Sequence, residues 1–403
     1  MYENLVVLGV FAFLYSIICG KLDRTPINGA LVFVAFGLLV GPLGLDLLKL
    51  EVNSEGLSTL AELTLALVLF TDASNANLGV LKTSFRIPQR LLLIGLPLTI
   101  VLGFGAGLLT LGGLTLLEVA ILATMLAPTD AALGKAVVTD ESVPDNFREG
   151  LNVESGLNDG ICVPILFVFL ALASGSSAEG GGSSLALKLV AEEIGIGAGV
   201  GIGVTLLGSW LIRACARRGW VTETWAQIPV IAMSLVCFAA AQWLGGSGFI
   251  AAFVGGLLFG GLVKHHKEKL LLAAEGTGDL MALITWVVFG AVVVATSIGK
   301  FSWGIVLYSV LSLTVVRMLP VFLSLAGMGI RTNEKLFIGW FGPRGLASIV
   351  FAVIVLNENL PGGHTMAMAV VCTIVLSILT HGLTAKPLIA ALAASKKKFT
   401  EQG

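Results

Sequence analysis

Three carboxylates lie within stretches that are otherwise apolar: Asp130 in LATMLAPTDAALG, and Glu154 and Asp159 in REGLNVESGLNDGICVPILF. A charged side chain at the middle of a membrane costs ~2.5–3.5 kcal/mol on the insertion scale, so such acids are paired or functional. Arg317, in TVVRMLPV, needs a partner and matches Glu154 best as a structural ion pair. That leaves Asp159 for chemistry. Desolvation disfavours a carboxylate's charged form, so Asp159 holds either a proton or a small cation. The Thr129 and Ser155 hydroxyls and the Asn158 amide oxygen supply the oxygen ligands that a hard cation such as Na⁺ prefers, with Asp159, Thr129 and Ser155 as its expected contacts. Occupancy by Na⁺ or H⁺, never both, is the chemistry that an exchange reaction requires.

Two prolines mark where the backbone itself could contribute. Pro128 precedes Thr129 and Asp130 in the segment 117–138, and Pro343 precedes Arg344 (GWFGPRGLASI) at corresponding depth in 334–356. Proline removes a backbone donor and clashes with the preceding turn. Two discontinuous helices meeting near the midplane are expected, the alternative being two intact but kinked ones. A broken helix exposes a positive N-terminal end and a negative C-terminal end. Asp130 is placed to compensate the first kind and Arg344 the second.

The elements that must position these residues are membrane helices. The 403 residues are 56% hydrophobic and only 12% charged, with a mean hydropathy of +0.96, where soluble domains are ~25% charged. This composition excludes a water-soluble enzyme, disorder and a disulfide scaffold. Apolar runs define about 13 segments between residues 4 and 393, leaving no room for an ATPase domain. Seventeen of the 24 Lys and Arg residues fall in alternate loops, three in the others and four within segments. That asymmetry puts the N-terminus outside and the C-terminus in the cytoplasm. Segments one to six and eight to thirteen then form two inverted six-helix repeats joined by the seventh, an arrangement common in secondary transporters. Segments five and twelve occupy equivalent positions in it.

Other features carry less. Asp72 and Glu62 lie in segment three, and Asp72 is a weaker candidate for the site. Gly195, Gly197, Gly199, Gly201 and Gly203 alternate without spelling a phosphate loop, and read as close helix packing. His381 reads as a packing histidine, and His265 and His266 as a solvated basic loop. The five cysteines are scattered singly and read as small packing residues. Ser174–Ser184 reads as a flexible Gly/Ser loop between segments six and seven.

ESGLNDG, APTDAALG, LFTDAS, TVVRMLPV and GPRGLASI together resemble the cation:proton antiporters of the NhaP/sodium–hydrogen exchanger group, over essentially the whole chain. The resemblance implies a homodimer with a scaffold and a mobile six-helix core. Scaffold helices 1–3 would occupy residues 1–90, core helices 4–6 residues 91–173, linker helix 7 and scaffold helices 8–10 residues 174–301, and core helices 11–13 with a short cytoplasmic tail residues 302–403. It makes Asp159 the ion and proton carrier, with Asp130, Thr129, Ser155 and Asn158 shaping the site, Glu154 pairing with Arg317, and Arg344 marking the second break. Asp72 matches only loosely, because LFTDAS is offset from common forms.

The expected activity is therefore secondary-active exchange of Na⁺, or another monovalent cation, for H⁺ by alternating access. One exchanging carboxylate, with Asn158 in place of a second acid, implies an electroneutral 1:1 ratio. No cofactor, nucleotide, nucleic acid or enzymatic step is expected, and the setting is membrane lipid, in a bacterial inner membrane. The main rival is a sodium-coupled organic anion carrier of similar inverted-repeat architecture, using Arg317 and Arg344 as anion-binding groups. An intramembrane aspartyl protease would need tyrosine beside aspartate, and Tyr2, Tyr15 and Tyr308 are not so placed.

Overall fold

The computed structural model describes residues 2–22, 25, 27–48, 55–76, 86–130, 132–175, 182–263 and 267–400. His265 and His266, and residues 176–181 of the expected loop, lie outside the described residues, while the loop's ends at 174–175 and 182–184 belong to the flanking helices. Among the described residues every regular element is helical. Backbone polar groups have no water to bond in hydrocarbon, so apolar runs of this length fold as helices that satisfy themselves.

Among the described residues, eight helices are long and apolar enough to cross a membrane: Tyr2–Leu22, Arg86–Thr110, Asp145–Ser174, Leu187–Arg217, Trp225–Trp243, Lys269–Ser297, Trp303–Ser324 and Gly363–Ala394. Four shorter apolar helices span Gly29–Val40, Leu116–Met125, Gly248–Leu262 and Leu346–Asn357. The chain is thus an integral membrane protein, helical throughout its described regular elements. Short polar caps start several helices: Asn28, Thr115, Ser247 and Ser302 each accept the backbone N–H three residues on. The apolar run 27–45 forms a helix only to Val40, because Gly41 and Pro42 turn the chain there. The polar residues of segment six, by contrast, do not interrupt its helix, which runs unbroken from Asp145 to Gly175.

The chain divides into two compact units. The first comprises Met1–Glu55, Ser84–Asn158 and Leu283–Gly403; the second comprises Gly56–Thr83 and Asp159–Ala282. Within the first, the Gly29–Val40 helix packs on a π-helical turn, Phe289–Val294. Gly37 and Gly290 permit that approach, since a Cβ on either would strike the facing backbone. An apolar cluster including Leu91, Val137, Phe147, Val321, Ile338 and Ile389 ties the helices of this unit together around the short helix Lys135–Val138. Within the second unit, Gly197 and Gly201 face the carbonyls of Ser247 and Ala251, whereas Gly195, Gly199 and Gly203 face open space. The glycine run therefore serves packing at a four-residue interval, on one helix face.

Candidate functional site

Two helices of the first unit are broken. Leu116–Met125 ends three residues before Pro128, and helix resumes only at Lys135–Val138. Thr332–Trp340 stops before Phe341, and helix resumes at Leu346. The two breaks bond to each other. Asp130 donates its backbone N–H to the Pro343 carbonyl at 2.8 Å. The Asp130 carboxylate accepts the N–H groups of Ala132 (2.8 Å), Leu133 (3.3 Å) and Leu346 (3.1 Å). Leu346 is the first residue of its half-helix, so the carboxylate sits where the N–H groups lack intrahelical partners.

Arg344 performs the opposite service. Its Nη1 donates to the carbonyls of Ala127 (2.7 Å) and Pro128 (2.9 Å), just beyond the C-terminal end of Leu116–Met125. Ser348 donates to the Met125 carbonyl at 2.7 Å in the same place. Each charge therefore sits on groups of the opposite partial sign, and each reaches the other chain segment's break. Gly345 makes this approach possible, and Gly342 leaves room for Arg317. A Cβ on Gly345 would overlap the Asp130 carboxylate, and one on Gly342 would overlap the Arg317 guanidinium.

The unbroken Asp145–Gly175 helix supplies the remaining groups. Ser155 donates to the Thr129 carbonyl at 2.6 Å, and Asn158 Nδ2 donates to Thr129 Oγ1 at 2.8 Å. With its nitrogen so engaged, Asn158 leaves Oδ1 buried and, among the described residues, without a hydrogen-bond donor. Asp159, the next residue on the helix, belongs to the second unit and is 9% exposed. One turn earlier, Glu154 forms a bidentate pair with Arg317, Oε1 to Nη1 at 2.5 Å and Oε2 to Nη2 at 2.8 Å, both side chains 2% exposed. A cavity of ≈ 10 Å³, lined by Thr129, Asp130, Ser155, Phe341 and Pro343 among others, is about the size of one water.

Within the first unit the structure thus brings together Thr129, Asp130, Ser155, Asn158 and Arg344, and joins Glu154 to Arg317. Asp72 belongs to the second unit, half-buried three residues before the end of the Glu55–Asn75 helix. Four contributors escaped the sequence reading: Ser348, Ser377, Gly345 and Glu118. Ser377 accepts the Arg344 backbone N–H at 2.8 Å. Glu118 completes a capping box with Thr115 and also accepts the Gly362 N–H at 2.6 Å. Only Glu118 had a local signal, the Thr-x-x-Glu spacing. Ahead of the Asp145–Gly175 helix, Asp140 accepts both the hydroxyl and the N–H of Ser142. Those bonds hold its carboxyl below the usual carboxylate range.

Comparison with known proteins adds family to geometry. The chain is 23% identical to a K(+)/H(+) antiporter NhaP2 of Shewanella sp. (strain ANA-3) over 368 residues, covering 89% of this chain and 62% of that protein. It is 24% identical to the K(+)/H(+) antiporter NhaP of Alkalimonas amylolytica over 390 residues, covering 95% and 66%. It thus spans about two thirds of the length of these relatives. The fold is that of the sodium proton antiporter MjNhaP1 from Methanocaldococcus jannaschii, with a TM-score of 0.75 at 20% identity over 97% of this chain and 98% of that one. The family description "Sodium/hydrogen exchanger, transmembrane" matches residues 9–391. On that match, the chain belongs to the sodium/hydrogen exchanger family.

Proposed function

We propose that this chain is a secondary-active antiporter exchanging a monovalent cation for H⁺, with Asp159 as the carboxylate for which the two compete. The observation that carries this reading is the Asn158 Oδ1 atom. It is a buried acceptor without a hydrogen-bond donor among the described residues, next to Asp159 in sequence, on a helix bonded to the first break. A buried acceptor left unmade is costly, and a cation or its water would satisfy it. Thr129 and Ser155 add oxygens, and a carrier with one exchanging acid moves one cation per proton. Relatives named for K⁺/H⁺ and for Na⁺/H⁺ exchange support a monovalent cation as the substrate.

The wider arrangement follows from the same reading. The chain crosses the membrane thirteen times with its N-terminus outside, in two inverted repeats. The six-helix core of residues 91–173 and 302–403 moves against a dimeric scaffold in a bacterial inner membrane. Asp159 then meets each side in turn, loaded with cation or proton. The organic-anion alternative loses ground, because Arg317 is held by Glu154 and Arg344 by the Ala127 and Pro128 carbonyls.

The test is a pH-gradient dye assay in proteoliposomes, with Na⁺, K⁺ and Li⁺ added separately. At least one cation should collapse the gradient with the wild-type chain and none with Asp159→Asn. Persistent exchange in that variant would take Asp159 out of the mechanism.

A further inference from the structure

His381 is 2% exposed in the Gly363–Thr400 helix, and both of its ring nitrogens meet polar atoms. Nδ1 lies 3.2 Å from Ser377 Oγ and 2.9 Å from the Ser377 carbonyl; Nε2 lies 2.9 Å from the Trp340 carbonyl. One turn further on, Thr384 Oγ1 accepts the Trp340 indole N–H at 2.9 Å. One turn earlier, Ser377 Oγ accepts the Arg344 backbone N–H. Ser377, His381 and Thr384 recur at helical spacing, so one face of this helix grips both sides of the second break. Trp340 closes the first half-helix, and Arg344 lies two residues before the second.

We propose that His381 is a positioning residue for the cation site, acting through Ser377 and Arg344 on the first break. The inference rests on the antiport reading above. With its proton on Nε2, the imidazole donates to the Trp340 carbonyl, which also takes the Gly342 N–H, and accepts the Ser377 hydroxyl proton on Nδ1; in this tautomer the nearby Ser377 carbonyl makes no bond to the ring. That hydroxyl then keeps its lone pairs turned to the Arg344 N–H, fixing the backbone from which the guanidinium reaches Ala127 and Pro128. Thr129, the next residue, holds both Ser155 and Asn158. The route from imidazole to site is therefore continuous: His381, Ser377, Arg344, the 127–128 carbonyls, Thr129.

The test measures exchange against cation concentration in proteoliposomes, alongside the unfolding midpoint in detergent, for wild type, His381→Ala and His381→Asn. Loss of one positioning hydrogen bond should raise the apparent KM for the cation about five-fold in His381→Ala, with a much smaller change in maximal rate. His381→Asn, which keeps an acceptor near the Nδ1 position, should return KM to within about two-fold of wild type. An unchanged KM in His381→Ala would overturn the proposal, as would a lowered unfolding midpoint alone or a KM that Asn fails to restore. If His381→Ala does not fold, Ser377→Ala is read the same way, with the same rise expected and an unchanged KM equally fatal. A wild-type chain that exchanges nothing would remove the antiport reading and this inference together. Normal wild-type exchange with an unaffected His381→Ala removes only the inference.

Discussion

The backbone N–H of Asp130 lies 2.8 Å from the carbonyl of Pro343, and through that bond two interrupted helices become one polar centre. The Asp130 carboxylate then reaches Leu346 past Gly345, where any side chain would collide with it.

Gly345→Ala should consequently be damaging out of proportion to its size. Overpacking alone costs about 1–3 kcal/mol, and the carboxylate that must move also caps the second half-helix. Gly105→Ala is the control: Gly105 lies inside the Leu96–Thr110 helix with nothing near its missing Cβ. There alanine should stabilise by about 0.5–1 kcal/mol. Unfolding midpoints in detergent measure both, and equal effects would contradict the close approach described.

The Glu154–Arg317 pair predicts a non-additive pattern. Removing one partner of a buried pair strands a charge and costs about 3–5 kcal/mol, whereas replacing both is far milder. Arg317→Met alone should therefore be strongly destabilising, and Glu154→Gln with Arg317→Met should recover much of the loss. The same unfolding measurements on both singles and the double close the cycle. Simple addition of the two single effects would show that the charges do not depend on each other.

Much of this centre could be read from letters. Pro128 and Pro343 announced the breaks because proline's effect on a helix is local. Glu154 and Arg317 could be matched because charges buried in lipid need partners. The crossed service of Asp130 and Arg344 was only half legible: each was assigned to a helix end of the right sign. That each would also reach the opposite break depended on the breaks touching, a tertiary fact with no local signature. Ser377 and Ser348 were invisible for the same reason, since an isolated serine in an apolar helix usually bonds its own backbone. His381 was noticed and read as packing, because its partners are backbone and hydroxyl groups that composition cannot single out.

Asp140 supplies a prediction in pH. Its carboxyl is held below the usual range, first by the Ser142 hydroxyl and then by the Ser142 N–H, with smaller help from Arg148 and Lys386. A carboxyl lowered on folding contributes stability above its unfolded pKa of about 3.9. That contribution fades as pH falls through the lower folded value. Ser142→Ala should be less stable than wild type at neutral pH, with the gap closing in strong acid. The side chain is only partly buried, so the gap will be small, and a gap that widens on acidification would reverse the assignment.

The proposed single-carboxylate mechanism makes its sharpest prediction about voltage. Asn158 occupies the position beside Asp159 and brings no second titrating group, so one cation leaves for each proton that enters. A clamped potential of 100 mV is worth ~2.3 kcal/mol for each net charge moved, enough to displace an electrogenic equilibrium about fifty-fold. One unit of pH gradient is worth ~1.4 kcal/mol per proton regardless of voltage. Proteoliposomes with a potassium-independent voltage clamp should therefore reach the same cation distribution at 0 and 100 mV, set by the pH gradient alone. An end point that follows the potential would mean that a second proton travels, and the search for its carrier would begin at Asp130 and Asp72.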